Sequence, residues 1–296
     1  MTGTPRAPRA ATSTITAADP LPTEVDVVVV GAGGAGMTAA LAAGTAGLET
    51  LLVEKSGYFG GSTARSGGGV WIPGNYALRE AGQVDEDDHE QAMAYLEAIV
   101  GDVVPRVRRE TYLRRGPEVM DFLRERTPLR FAWVPGYSDY LPEQPGGRAA
   151  GRSCEPVPMD ASFLGAELER LHPAYSKAPA NMIVTQADFR RISLGMRTWR
   201  GPATMLKVLV RRVVAGLRRH RMYAMGNAIV ISLRQGLIEA CVPLAYDTAL
   251  DELGDEELGA LGAAALVDAW PDDRTLPKAC VIGEPTSMQG GGAHTG

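Results

Sequence analysis

The 296-residue sequence is short of cysteine, of long apolar runs and of net charge. Its three cysteines, Cys154, Cys241 and Cys280, are odd in number and far apart. That argues against a disulfide framework and suits a reducing, cytoplasmic setting. No apolar run approaches the ~18 residues needed to span a bilayer. The opening residues are rich in Thr, Ala and Pro, with Arg6 and Arg9, and contain no apolar stretch of the kind a secretory signal needs. Residues 1–23 therefore read as a disordered tail. A formal net charge of -5 is too small to imply a nucleic-acid partner. What is present is ordinary for a globular protein, 45% hydrophobic and 22% charged residues, enough for one large domain or two small ones.

The informative pattern begins at Val25. VDVVVV over 25–30 is a β-branched run suited to a strand buried on both faces of a parallel sheet. Gly31-Ala32-Gly33-Gly34-Ala35-Gly36 follows, then a small-residue helix over 37–46 that Gly47 ends. A second strand over 50–53 leads into Glu54 and Lys55. Each part has a physical task. Gly31 permits the tight turn, Gly33 lets a pyrophosphate approach the backbone, and Gly36 lets helix and strand pack closely. The helix N-terminus at Gly34 and Ala35 offers N–H groups and partial positive charge to phosphate. Glu54 stands where ribose hydroxyls can donate to it. The pattern predicts dinucleotide binding; the alternative is a structural βαβ unit with a fortuitous glycine turn.

A second glycine-rich loop, Gly60-Gly61-Ser62-Thr63-Ala64-Arg65-Ser66-Gly67-Gly68-Gly69, comes soon after the acid. Backbone N–H groups at Gly61 with the Ser62 and Thr63 hydroxyls suit the other side of a pyrophosphate. Ser66, Gly67 and Gly68 would let a flat ring lie against the backbone. A flexible surface loop is the alternative, although Trp71-Ile72-Pro73 implies a return to a packed region. With these residues in view, VVVVGAGGAG and VEKSGYFGGSTARSGGGVWIPGN resemble the FAD domain of the fumarate reductase and 3-ketosteroid dehydrogenase flavoprotein superfamily. The resemblance implies an α/β fold: a Rossmann-like FAD-binding domain with a parallel sheet and a helical insertion. Some members of that superfamily attach FAD through a histidine near the second loop. The histidines here are His89, His172, His220 and His294, none of them between Glu54 and Asn75, so non-covalent FAD is expected.

Residues 85–100 and 106–125 read as helices and 131–134 as a short strand. A long Pro- and Gly-rich loop over 136–148 continues as Gly151-Arg152-Ser153-Cys154-Glu155-Pro156. Long loops are often functional. A D-Y pair followed by G-R-S resembles the 3-ketosteroid Δ1-dehydrogenases, and by position Tyr140 matches the tyrosine that reaches the active site there. The resemblance implies that its hydroxyl hydrogen-bonds substrate or a second tyrosine acting as base; an aromatic plug holding the loop down is the alternative. Cations dominate residues 190–221, and Met205, Leu206, Leu209, Val213, Val214 and Leu217 give the helix over 203–221 an apolar side. Such a helix suits peripheral contact with an anionic membrane, or else is a core helix with a solvated cationic face. A further helix over 226–240 and a strand over 242–247 follow.

Past about residue 250 the steroid-dehydrogenase pattern stops. The expected organisation is a tail over 1–23, an incomplete FAD-binding domain over 24–252 with inserted loop and helices at about 85–204, and a fragment over 253–296. The fragment resembles the acetylornithine deacetylase and succinyl-diaminopimelate desuccinylase family of zinc amidohydrolases. Under that resemblance Glu256 matches a general base, and Glu257 and Glu284 match zinc ligands. No H-x-D motif accompanies them, so no metal site is expected. The larger resemblance implies FAD-dependent Δ1-dehydrogenation of a 3-ketosteroid or another lipophilic ketone, in which a tyrosine base removes the α-proton and hydride goes to the flavin. It names no electron acceptor. Of the family's catalytic set only Tyr140 stands in this chain, so little turnover by the chain alone is expected. The alternatives are fumarate reductase-like chemistry on a small unsaturated acid, a non-catalytic FAD-binding fragment, and a zinc amidohydrolase fragment.

Overall fold

The computed structural model describes residues 13–85, 88–175, 182–193, 195–250 and 279–282. The strands are β1 Thr14–Ile15, β2 Val27–Val30, β3 Thr50–Val53, β4 Val70–Trp71, β5 Phe131–Trp133, β6 Ser153–Pro156, β7 Met159–Asp160, β8 Met222–Tyr223, β9 Leu244–Ala245 and β10 Ala279–Ile282. The helices are α1 Gly34–Thr45, α2 Gly61–Arg65, α3 Tyr76–Glu80, α4 Asp88–Val100, α5 Arg106–Arg126, α6 Gln186–Ser193, α7 Arg200–Leu217 and α8 Met225–Glu239. They divide into two units, Met1–Ser62 with Leu237–Gly296, and Thr63–Gly236.

The first unit is built on a five-stranded sheet in the order β1-β9-β3-β2-β10, every pair parallel. β3 is buried along its whole length. β2, expected to be buried on both faces, alternates instead: Val27 and Val29 are buried, while Val28 and Val30 are partly exposed. Those two pack beside a cluster of Ile15, Leu51, Val53 and Ala245. α1 follows β2 and buries Met37, Ala40 and Leu41. It ends as anticipated, with Gly47 at φ +88° and its N–H donating to Gly44 O at 3.0 Å.

Two segments depart from the sequence reading. Residues 14–15, expected within a disordered tail, form β1 and pair with Leu244 and Ala245. The reason is Ile15: it joins the apolar cluster beside β3, and burying such a side chain contributes about 1.5–3 kcal/mol. At the other side of the sheet, Ala279–Ile282 lies parallel to Val27–Val30 in register. An apolar, β-branched run is what an otherwise open edge of β2 accepts. The remaining residues of 253–296, with Glu256, Glu257, Glu284 and His294, lie outside the described residues, as do residues 1–12.

The second unit holds a small antiparallel sheet, β4-β6-β5, and the pair β7-β8. α4 and α5 pack together through Ala92, Met93 and Leu113, joined by Trp71 and Leu96. The helices anticipated over 85–100, 106–125 and 226–240 are present as α4, α5 and α8, within three residues at each end. Among the described residues no helix is long and apolar enough to cross a membrane.

Candidate functional site

The first glycine turn joins β2 to α1. Gly31 has φ +96°, a conformation that L side chains rarely adopt, and its N–H donates to Val53 O at 2.8 Å. Gly36 is buried, and a Cβ there would lie 1.9 Å from Gly31 O. Only glycine lets the helix start so close to the turn. At Gly33, the N-cap of α1, a Cβ would meet nothing within 4 Å. Space is therefore open above Gly33 and closed at Gly36, the arrangement needed if a pyrophosphate approaches Gly33. No acidic residue stands in the first turn of α1 and no side chain of its N-cap closes it, so the positive end of the helix suits an anion. Ala35 and Lys55 are exposed, and Gly34 is partly so.

Glu54 ends β3 and is 4% exposed. Its Oε2 accepts the Ala32 N–H at 2.8 Å, and its Oε1 accepts the Ser56 N–H and the Ser56 hydroxyl, both at 3.0 Å. The carboxylate is thus fixed beside the turn by the chain's own donors. Gly60 closes this half: its N–H donates to Ala32 O at 2.7 Å. Gly61 is buried and Ser62 exposed. The turn, the helix start and the acid fit a dinucleotide.

The second glycine segment is only partly a loop. Gly61–Arg65 forms the short helix α2, which places Ser62 and Thr63 on a helical turn. Within the second unit, residues 63–68 lie against the start of α8. A Cβ at Gly226 would stand 1.8 Å from Thr63 O, and one at Gly68 would stand 2.5 Å from Met225 C. Gly226 N–H donates to Ser66 O at 3.1 Å, and Asn227 Nδ2 donates to Ala64 O at 2.9 Å. Ser66 Oγ donates to Thr63 O at 2.8 Å and accepts the Gly68 N–H at 3.0 Å. Ser66 and Gly67 remain exposed. Gln186 braces the far side, its Nε2 donating to Gly67 O at 2.8 Å. Gln186 is held in turn by Glu155, whose Oε2 accepts its N–H at 2.5 Å and whose Oε1 accepts that of Ala187 at 3.3 Å. Burial pushes the Glu155 carboxyl above its ordinary pKa, against the pull of these donors.

Tyr140 is 88% exposed, and among the described residues its hydroxyl has no hydrogen-bond partner. Its neighbour is the opposite. Asp139 is buried and accepts from Trp71 Nε1 at 2.8 Å, from the Arg152 N–H at 3.0 Å and from the Arg148 N–H at 3.1 Å. Arg152, with no exposed surface, pairs with Asp139 at 2.6 Å and Asp88 at 3.2 Å. Arg152, Asp88, Gln186 and Asn227 take these positions only through tertiary contacts. The G-R-S segment was the available signal for Arg152. Nothing local marks Gln186 or Asn227, whose contacts are made 119 and 163 residues away. Cys154 is fully buried and its thiol is pushed up to about 11 by that burial.

Among the described residues no group of three His, Cys, Asp or Glu side chains is placed to hold a metal ion. The protein-family profile described as "FAD binding domain" matches residues 26–276. The chain is 50% identical over 239 residues to a 3-oxosteroid 1-dehydrogenase of Mycolicibacterium smegmatis, covering 81% of this chain and 42% of that protein. It is 49% identical over 230 residues to the one of Mycobacterium tuberculosis, covering 78% and 40%. The chain thus spans about two fifths of the length of these curated relatives. Among solved structures it is similar to 3-ketosteroid delta1-dehydrogenase from Sterolibacterium denitrificans, in complex with 1,4-androstadiene-3,17-dione. There the TM-score is 0.69 and the identity 30%, over 82% of this chain and 43% of that one. A family match over most of the chain, on a turn open at Gly33, closed at Gly36 and flanked by a buried Glu54, means that this chain belongs to the FAD-binding-domain family.

Proposed function

We propose that this chain supplies the FAD-binding part of a 3-oxosteroid 1-dehydrogenase, acting on a lipophilic cyclic ketone. The observation that carries this reading is the half identity to such an enzyme over 239 residues. It is borne by a chain whose first glycine turn has room for a pyrophosphate. Gly31, Gly33, Gly34, Ala35 and Gly36 would hold the pyrophosphate and Glu54 the ribose. Lys55, Gly61, Ser62, Thr63, Ser66, Gly67 and Gly68 complete the set proposed to contact the cofactor. Bound FAD supplies the acceptor for a hydride from the substrate. With no histidine between Glu54 and Asn75, the cofactor is held without a covalent bond.

The proposed part of Tyr140 is to present a hydroxyl from a loop that is fixed at its base. Asp139 and Arg152 anchor that base, while the ring itself stays accessible. A hydroxyl so placed can hold a hydrogen bond to a substrate ketone or to a second tyrosine.

The test is the visible spectrum of the purified, desalted protein after incubation with FAD. Stoichiometric flavin, released by acid, is expected. Anaerobic addition of a 3-oxosteroid should then perturb the flavin bands, whereas fumarate should not. A protein that takes up no FAD overturns the reading, and so does a flavin that answers to fumarate and not to steroid.

A further inference from the structure

Gly67, Gly68 and Gly69 are required by different neighbours. A Cβ at Gly68, where φ is +70°, would stand 2.5 Å from Met225 C at the start of α8. Cβ atoms at Gly67 and Gly69 would stand 3.1 and 2.9 Å from Gln186 Nε2. The segment is thus gripped from two sides. The backbone of α8 meets its middle residue, and one side-chain amide lies across the other two.

That amide makes one directed bond. Gln186 Nε2 donates to Gly67 O at 2.8 Å. The peptide that begins with this carbonyl ends in the Gly68 N–H, which donates to Ser66 Oγ at 3.0 Å. Ser66 Oγ itself donates to Thr63 O at 2.8 Å, so its hydrogen is committed there and a lone pair is left for Gly68. The Gly67–Gly68 peptide is therefore pinned at both ends by side chains, its oxygen by Gln186 and its N–H by Ser66. Pins matter at this place because the peptide joins two glycines, whose backbones turn without the resistance of a Cβ.

Gln186 is fixed to the same framework. It opens α6, and Glu155 Oε2 accepts its backbone N–H at 2.5 Å. Glu155 belongs to β6, in which Cys154 pairs with Val70, the residue that follows Gly69. One short sheet thus carries the glycine segment at the start of β4 and the anchor of Gln186 on the next strand. The distance from the amide to Gly67 is set by that pairing.

Gly67 is exposed on its remaining side. A carbonyl free to turn toward a flavin ring laid there brings the negative end of a dipole to it and opposes the addition of electrons. On the FAD-binding reading given above, we propose that Gln186 is a positioning residue that keeps the Gly67 carbonyl from the ring and so keeps the flavin potential high. The side chain acts through the peptide it pins and touches no reacting atom.

Gln186→Ala and Gln186→Met test this in the full chain. Both remove the donor, and Met keeps most of the bulk. Loaded with FAD, both variants should show a lower midpoint potential than the wild type and an FAD Kd raised by about two- to tenfold, the range for loss of one neutral hydrogen bond. The pin is also read without the cofactor: amide hydrogen exchange at Gly68 in the apo chain should quicken about two- to tenfold in both. A Met variant that matches the wild type in potential overturns the proposal, because the side chain then only fills space. So does weaker FAD binding with an unchanged potential in both variants, the mark of a mere brace, and so does unchanged exchange at Gly68. A wild-type chain that takes up no FAD removes the functional reading as well, whereas an unchanged potential in variants that bind FAD removes this proposal alone.

Discussion

Glu54 Oε2 accepts the Ala32 N–H at 2.8 Å, joining the end of β3 to the first glycine turn across 22 residues of chain. Its other oxygen accepts two donors from Ser56. All of these partners donate, so the site needs an acceptor on both sides. Glu54→Gln keeps the shape but turns an amide NH₂ toward either Ala32 or Ser56. Loss of a hydrogen bond to a charged group costs about 1.5–3 kcal/mol. Thermal unfolding of the apo protein should register that loss, and FAD titration should show affinity falling by about tenfold or more. Wild-type stability in the Gln variant would mean that the Ala32 contact does not brace the turn.

Gly33 and Gly36 should respond to alanine in different ways. Gly33 has ordinary extended φ and ψ, and a Cβ there enters open space. Gly33→Ala should leave the melting temperature of the apo protein nearly unchanged while weakening FAD binding, because the methyl group occupies the volume proposed for phosphate. Gly36→Ala drives a Cβ to 1.9 Å from Gly31 O. It should destabilise the apo protein by more than the ~1–3 kcal/mol of ordinary overpacking. Melting curves and FAD titrations of both variants check the contrast; equal effects of the two would sink it.

The first of these sites was legible in the sequence because its physics is local. A β-branched run, a glycine turn, a small-residue helix and an acid lie within thirty residues, and each constrains the backbone through its own side chain or the lack of one. The second glycine segment was half legible. Its glycines were visible, but the close approach of Gly226 to Thr63 O joins residues far apart in the chain, and the five-residue helix α2 is too short to leave a periodicity to read. β1 was missed because two paired residues leave no periodicity to read; Ile15 is recruited by a core that other strands build. Arg152 was missed for a related reason. An arginine in a glycine-rich loop reads as solvated, and only tertiary structure brings Asp88 and Asp139 around it.

That buried pair supports the third prediction. Arg152→Met leaves Asp139 without its buried cation, while Asp88 keeps Arg148 at 3.0 Å, and breaking such a buried pair costs about 3–5 kcal/mol. Adding Asp139→Asn should recover part of the loss, because one stranded charge is removed. Tyr140→Phe, by contrast, should leave both the melting temperature and FAD affinity unchanged, since the ring is exposed and its hydroxyl bonds nothing among the described residues. A large drop in stability with Tyr140→Phe would mean that the hydroxyl is engaged within the fold; the reading of the ring as a plug would need such a drop with Tyr140→Ala.

Cys154 and Cys241 should differ sharply as thiols. Cys154 is fully buried with its thiol pushed up to about 11, whereas Cys241 is exposed. The thiolate is the reactive form, so at mildly alkaline pH an aromatic disulfide reagent should label Cys241 quickly and Cys154 only on unfolding. With Cys280 replaced by serine, one fast thiol is expected in the native protein, and Cys241→Ser should abolish it.

Glu155 carries the prediction about pH. It is 7% exposed, and desolvation raises its carboxyl above the ordinary value of 4.5 despite the N–H groups of Gln186 and Ala187. A carboxyl with a raised folded-state pKa binds its proton more readily in the folded chain than in the unfolded one. Its contribution to stability is therefore fully present below the unfolded pKa and is lost as pH rises through the folded value. Glu155→Gln removes the titration and keeps an oxygen that can accept from α6. Below the ordinary carboxylate range the two proteins should melt alike. As pH climbs toward neutral, the wild type should lose stability relative to the Gln variant, with the gap levelling off once the folded carboxyl is fully ionised. A gap that is flat, or that widens toward acid, would mean that the N–H bonds of Gln186 and Ala187 outweigh burial and that Glu155 acts as a charged cap on α6.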